Sequence, residues 1–278
     1  MDFNWLQSIF YGFVSGISDI LPVSAQAHRL LLLKMFGQNA EPGLLRLLTH
    51  VGIFAAVYWN CQPQIVKILR AKSLARIPKR RRKRPLDTKS LMDFRLWQTM
   101  ILPVILVYLF FEKISVLHNR LILMTVFLFI NGIILYAPQF LPGSNKDSRS
   151  LSRVEGLLMG LGGAASVLPG ISGIGACVSV ASVCGVERSY ALNMAFLMHL
   201  VVSTAMIIFD ILAIISGSAG IFSFVGLLAC VAAAIAAFLG TSLGIRIMRA
   251  LAAEKGFVPF TFYCWGIALF AFILNLLA

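Results

Sequence analysis

Charge is scarce in this chain: Asp, Glu, Lys and Arg make up 13% of 278 residues, about half the share of a soluble domain. A polar, water-facing surface of the usual kind cannot be built from so little. Acids are scarcer still, 11 against 24 Lys and Arg, for a net charge of +13. Five cysteines (Cys61, Cys177, Cys184, Cys230, Cys264) are scattered and odd in number, with no CxxC pair and no clustered histidines. That excludes a disulfide framework or a zinc site and leaves them as small packing residues. The start, MDFNWLQSIF, has neither the basic opening nor the clean apolar centre of a cleaved signal, so the first segment is expected to stay.

What is abundant is apolar sequence, 59% of the residues, with a mean hydropathy of +0.88. About six runs are long enough to cross a hydrocarbon layer of roughly 30 Å. They are Leu44 to Trp59, Leu91 to Phe111, Leu121 to Phe140, Tyr190 to Ile215, Ile221 to Ile245 and Phe257 to Ala278. This predicts an all-α polytopic membrane protein forming one integral membrane domain over residues 1–278. Twelve of the 24 cations lie between Lys67 and Arg95, including the unbroken run Lys79 to Arg84. With no interleaved aromatics for base stacking, the stretch over residues 66–90 reads as a cytoplasmic loop facing anionic headgroups, not as a nucleic-acid surface. His118, beside Asn119 and Arg120 at the edge of a span, is expected to face water.

Two further stretches are apolar but broken. Residues 9–33 carry Gly12, Gly16 and Pro22, and residues 154–184 carry glycines on both sides of Pro169. A proline removes a backbone donor and the glycines let the chain turn, so each stretch is expected to form two half-helices meeting within the membrane, a re-entrant hairpin. Offsetting the chain by 147 residues lays Gly16, Leu21 and Pro22 on Gly163, Leu168 and Pro169, and an offset of 149 lays Leu48 and His50 on Leu197 and His199. The chain thus reads as two repeats, residues 1–115 and 148–278. If the basic clusters Lys67 to Arg95, Lys146 to Arg153 and Arg246 to Lys255 all face the cytoplasm, the repeats are inverted. Inverted repeats with broken helices place a site at the midplane, where half-helix N-termini offer free N–H groups to an anion.

Asp19, Ser24, Gln26 and His28 gather at the first break, where an ionised carboxylate is expensive. A structural alternative has Asp19 capping the second half-helix. His50 and His199, matched in the two repeats, are candidates for proton or charge coupling, unless each ring only donates to a nearby carbonyl. Asp210 reads as a structural partner of Arg46 or Arg29. Arg29 itself either reaches the site or snorkels toward headgroups. The small residues between Gly220 and Gly244 predict close helix packing.

The segments LPVSAQAH and LPGISGIG, and their spacing, resemble the undecaprenyl pyrophosphate phosphatase family over essentially the whole chain. The resemblance implies a bacterial cytoplasmic membrane protein that recycles a lipid carrier for envelope synthesis. In that family the first tip carries two glutamates, Pro-x-Ser-Ser and a histidine; the second carries Pro-Gly-x-Ser-Arg-Ser and a threonine. The glutamates fall here on Ser15 and Asp19, the serine pair on Ser24 and Ala25, the histidine on His28. Pro169, Gly170 and Ser172 match, whereas Gly173 stands for the arginine, Ile174 for the serine and Cys177 for the threonine.

An arginine in a phosphoryl-transfer site is worth roughly 10³ to 10⁵ in rate, and losing a carboxylate weakens a hard-cation site. The resemblance therefore implies a polyprenyl phosphate or diphosphate as partner, bound and translocated with phosphate held by Ser24, Ala25, Gln26, Ser172 and Gly173. Asp19 and His28 are the catalytic candidates if hydrolysis to the monophosphate persists, with Mg²⁺ or Ca²⁺ as the cofactor in that case and none otherwise. A channel or small-molecule transporter on the same fold is the third alternative. A homodimer is an assembly the sequence leaves open.

Overall fold

The computed structural model describes residues 3–38, 40–82, 84–115, 120–141, 145–217, 224–254 and 256–277. Lys83, His118, Lys255 and the opening of the fifth apolar run at residues 221–223 lie outside them. Among the described residues the regular structure is helical, apart from an isolated bridge between Lys146 and Val186. Eleven α-helices follow in order among these residues. They are α1 (Trp5–Ile20), α2 (Ala25–Met35), α3 (Gly43–Ala75), α4 (Thr88–Tyr108), α5 (Phe111–Ser115), α6 (Leu121–Tyr136), α7 (Arg153–Ala164), α8 (Gly173–Val183), α9 (Arg188–Ile215), α10 (Phe224–Glu254) and α11 (Val258–Leu277).

Six of these, α3, α4, α6 with its following turn, α9, α10 and α11, are long and apolar enough to cross a membrane. The protein is a multi-pass helical membrane protein. Leu102, Phe129, Ile133, Leu239 and Phe270 point outward from these helices and are exposed, as residues facing acyl chains would be. Helicity outlasts apolarity at two ends. Helix α3 continues from Trp59 through Pro63 to Ala75, so the first ten residues of the expected basic loop are helical, and α10 carries Arg246 and Arg249 on its last turns. The basic turn Lys79–Arg81 is exposed.

Of the five remaining helices, α5 has five residues and the other four are longer but fall short of a span. Helices α1, α2, α7 and α8 have 16, 11, 12 and 11 residues, roughly 16 to 24 Å at 1.5 Å per residue. The breaks fall where proline and glycine predict them. Helix α1 ends at Ile20 with Leu21 extended, and α2 starts at Ala25. Helix α7 ends at Ala164, and after one tight turn and Pro169 the chain restarts at Gly173. Capping boxes open α1 at Asn4 and α7 at Ser152, each satisfying two backbone donors.

The packing is reciprocal. Helix α1 lies along α10, and α7 lies along α4. Gly12 and Gly16 face the backbones of Ala233 and Ala237, while Gly240 and Gly244 face Phe13 and Ile20, so α1 and α10 run parallel and close. The small residues of α10 are thus a packing surface. Gly156 faces Leu96 and Gly160 faces Met100 and Pro103, so α7 and α4 are parallel too. Helices α3 and α9 are antiparallel: Arg46 and His50 near the start of α3 meet Asp210 near the end of α9, and Arg249 touches both Asn60 and Phe196 further along.

Candidate functional site

The two breaks meet. Pro22 packs against Gly175, where an added Cβ would come within 2.7 Å of the proline Cβ. A single side chain from α6 stitches them together. Asn131, with 0% of its surface exposed, donates from Nδ2 to the Pro22 carbonyl at 3.0 Å and accepts on Oδ1 from the Ser172 N–H at 2.9 Å. Buried in an apolar helix, that amide uses both ends on backbone groups that the breaks leave free. Ser172 caps α8, its hydroxyl accepting from the Gly175 N–H at 3.2 Å.

Between these tips and helices α3, α4 and α9 lies an open cavity. Of the sequence candidates, Asp19, Ala25, Gln26, Ser172 and Gly173 line it, and so do both repeat histidines, His50 and His199. Ser24 and His28 do not line it. Ser24 takes a positive φ of 66°, a strained backbone for a side-chain residue, and its buried hydroxyl has no hydrogen-bond partner. His28 turns to α11. Its Nδ1–H donates to the Ser24 carbonyl at 2.8 Å, which can only accept, so Nε2 accepts from the Tyr263 hydroxyl at 2.7 Å, the two rings stacked.

The charged groups form two clusters that cross between helices, a pair and a triad. His199 donates from Nε2 to Asp19 at 2.7 Å. Asp210, 1% exposed, accepts from Arg46 Nε at 2.6 Å and from His50 Nδ1 at 2.5 Å. Asp19 therefore does not cap the second half-helix, whose N-cap is Ser24; it sits within α1 and is held by a histidine. Both rings bind carboxylates rather than carbonyls. Arg29, 7% exposed, does not snorkel: it lines the cavity and donates from one terminal nitrogen to His50 Nε2 at 2.6 Å.

Three further groups of the cavity carry no motif. Tyr108 and Ser166 share a hydrogen bond of 3.2 Å, and Ser203 on α9 has a buried hydroxyl without a partner. The Gln26 Oε1 is likewise buried and unpaired. Ser203 lies four residues after His199, on the same helix face, a spacing that could have flagged it. Asn131 had its own signal, as a lone amide inside sixteen otherwise apolar or small residues.

Among the described residues no three His, Cys, Asp or Glu side chains converge as a metal site. Asp19 is the carboxylate on the cavity wall, and His199 already holds one of its oxygens. A divalent cation of the magnesium or calcium kind is not caged by such a set; its other ligands would have to come from phosphate and water.

The fold and cavity define a class: polytopic helical membrane proteins with a polar chamber formed where two broken helix pairs meet. Residues 8–270 match the family model described as bacitracin resistance protein BacA, and the chain belongs to that family. It is similar to an undecaprenyl-diphosphatase of Methanobrevibacter smithii, 28% identical with 96% of each chain covered. It is also similar to undecaprenyl-diphosphatase 1 of Shouchella clausii, 25% identical over 96% of this chain and 95% of that one. A third relative, an undecaprenyl-diphosphatase of Desulfatibacillum aliphaticivorans, is 25% identical over 98% and 99%. Such full-length relatives support a part in lipid-carrier recycling.

Proposed function

We propose that the protein binds the phosphate or diphosphate head of a polyprenyl carrier lipid in the cavity and moves it between leaflets. The observation that carries this reading is the joining of both breaks by Asn131 beside the N-terminus of α8, whose positive dipole end lies at Ser172 and Gly173 on the chamber wall. On this reading α1–α2 and α7–α8, each helix too short to span, are re-entrant hairpins of two inverted repeats. The parallel pairs α1 with α10 and α7 with α4, and the antiparallel α3 and α9, support that symmetry. An isoprenoid tail would leave the chamber for lipid, while the head takes Ser172, Gln26 and the backbone near Ala25 and Gly173. Two halves rocking about a fixed midplane site expose it to each side in turn.

A second reading, hydrolysis of the diphosphate, is favoured by the Asp19–His199 pair. A carboxylate accepts only, so the proton sits on His199 Nε2 and leaves Nδ1 free as a base. In that case Asp19 orients the ring and His199 takes a proton from attacking water. Proteoliposomes holding a fluorescent polyprenyl phosphate separate the two. Leaflet exchange above that of empty liposomes, with no inorganic phosphate released from the diphosphate, fits translocation. Phosphate release that is abolished by His199→Ala would replace translocation by catalysis.

A further inference from the structure

Arg29 contributes a cation to the cavity that no motif announces. It sits on α2 one residue after His28, and a helix turns about 100° per residue. With His28 turned to Tyr263, Arg29 turns into the chamber. A guanidinium has five N–H donors and no acceptor. One terminal nitrogen donates to His50 Nε2, which fixes that ring as the neutral tautomer with its proton on Nδ1, and Nδ1 donates to Asp210. Arg46 closes the chain from the other side of Asp210. Arg29 is thus held from behind by a His50–Asp210–Arg46 relay, with the rest of its fork left for the chamber.

The wall of the chamber at Gly173 has no side chain of its own. At Gly173 an added Cβ would lie 2.7 Å from the Gly163 carbonyl oxygen and 2.7 Å from Ser166 Cβ, so the backbone itself forms that surface. The chamber is also lined by Gln26 and Ser203, whose buried side-chain oxygens have no hydrogen-bond partner. Asp19 is taken by His199 and Asp210 by Arg46, which leaves the guanidinium as the cation with donors to spare. A planar fork matches two oxygens of a tetrahedral anion.

We propose that Arg29 is the phosphate-reading residue of the cavity: its guanidinium takes two phosphoryl oxygens of the carrier lipid, and the His50–Asp210–Arg46 relay holds it in register. This rests on the phosphate-head reading given above. It names the residue that distinguishes a phosphorylated polyprenol from the free alcohol, whose tail is the same. Charged hydrogen bonds of this kind are worth about 1.5–3 kcal/mol, so losing the fork should weaken binding of the phosphate about ten- to a hundred-fold.

The test is binding of a polyprenyl monophosphate and of the polyprenol of equal length to full-length protein in nanodiscs. Wild-type protein should prefer the phosphate, and Arg29→Gln should lose most of that preference while binding the alcohol unchanged. Because Arg29→Gln leaves an unbalanced buried carboxylate, the charge-balanced Arg29→Gln/Asp19→Asn protein is measured alongside. The buried net charge is then unchanged, so a purely long-range electrostatic role for Arg29 would keep the preference, and a kept preference overturns the proposal. If wild-type protein shows no preference at all, the phosphate-head reading itself fails. If Arg29 variants keep the preference and Ser172→Ala loses it, that reading stands and the role of Arg29 falls.

Discussion

Asn131 makes the clearest residue-scale case, because one amide serves two backbone groups that belong to different breaks. Asn131→Leu fills a similar volume but removes both bonds. The Ser172 N–H then has no partner in a buried setting, and the Pro22 carbonyl keeps only a long contact of 3.6 Å from the Cys264 thiol. Leaving such groups unmet costs about 1–3 kcal/mol each, so the variant is expected to lose about 2–4 kcal/mol in equilibrium unfolding in detergent. It should also weaken lipid-phosphate binding, since the tips are then joined only by the long Ser172 hydroxyl contact to the Leu21 carbonyl at 3.5 Å and by the packing of Pro22 on Gly175. Wild-type stability in Asn131→Leu would mean that the breaks are joined by other contacts. The sequence places Asp19, Gln26, Ser172, Gly173, His50 and His199 near a common site because breaks in apolar helices expose polar groups. It does not tell which of His28 and Arg29 faces inward, since adjacent residues on a helix differ by about 100° and the rotation of α2 is set by its contact with Tyr263 on α11.

Elements show a different limit of legibility. Apolar runs locate the spans well, yet they stop short of the true ends of α3 and α10, because a helix leaving the hydrocarbon keeps its backbone bonds while its side chains turn polar. Pro22 and Pro169 mark the breaks because each deletes a donor the helix needs. The ends that face water depend instead on caps. Asp87 opens α4, accepting from the Ser90 N–H at 3.0 Å and from its hydroxyl at 2.7 Å. These bonds from Ser90 hold its carboxyl below the usual aspartate range. A lowered folded value stabilises the native state above the unfolded value of 3.8 and is lost as pH falls through the lower folded value. Acid titration should therefore weaken the start of α4 below about pH 4, and Asp87→Ala should remove that dependence. At neutral pH the same variant should lose about 1 kcal/mol, read as faster amide exchange over the first turn of α4. Equal acid sensitivity in wild type and Asp87→Ala would assign the dependence to other carboxylates.

For the whole molecule, the helix directions fix which loops share a side before any membrane is considered. Helix α3 carries the chain from the loop around Ala40 to the basic turn Lys79–Arg81, and α4 starts from that same side. Helix α7, parallel to α4, starts there too, so Lys146 and Arg149 join the basic turn. Asp93 ties the arrangement, accepting from Ser148 at 2.5 Å and from the Tyr190 hydroxyl at 2.8 Å. The shared side is the basic one, and the tendency of basic loops to stay in the cytoplasm predicts that it faces inward. In a variant with all five native cysteines replaced, Arg80→Cys and Arg149→Cys should resist a membrane-impermeant maleimide in intact cells and react after permeabilisation. Ala40→Cys, at an exposed position at the opposite end of α3, should react without it. Labelling of Ala40→Cys and Arg80→Cys from the same side would contradict a membrane-crossing α3. Labelling of Arg80→Cys and Arg149→Cys from opposite sides would contradict the parallel α4–α7 pair, and with it the inverted arrangement proposed for the two repeats.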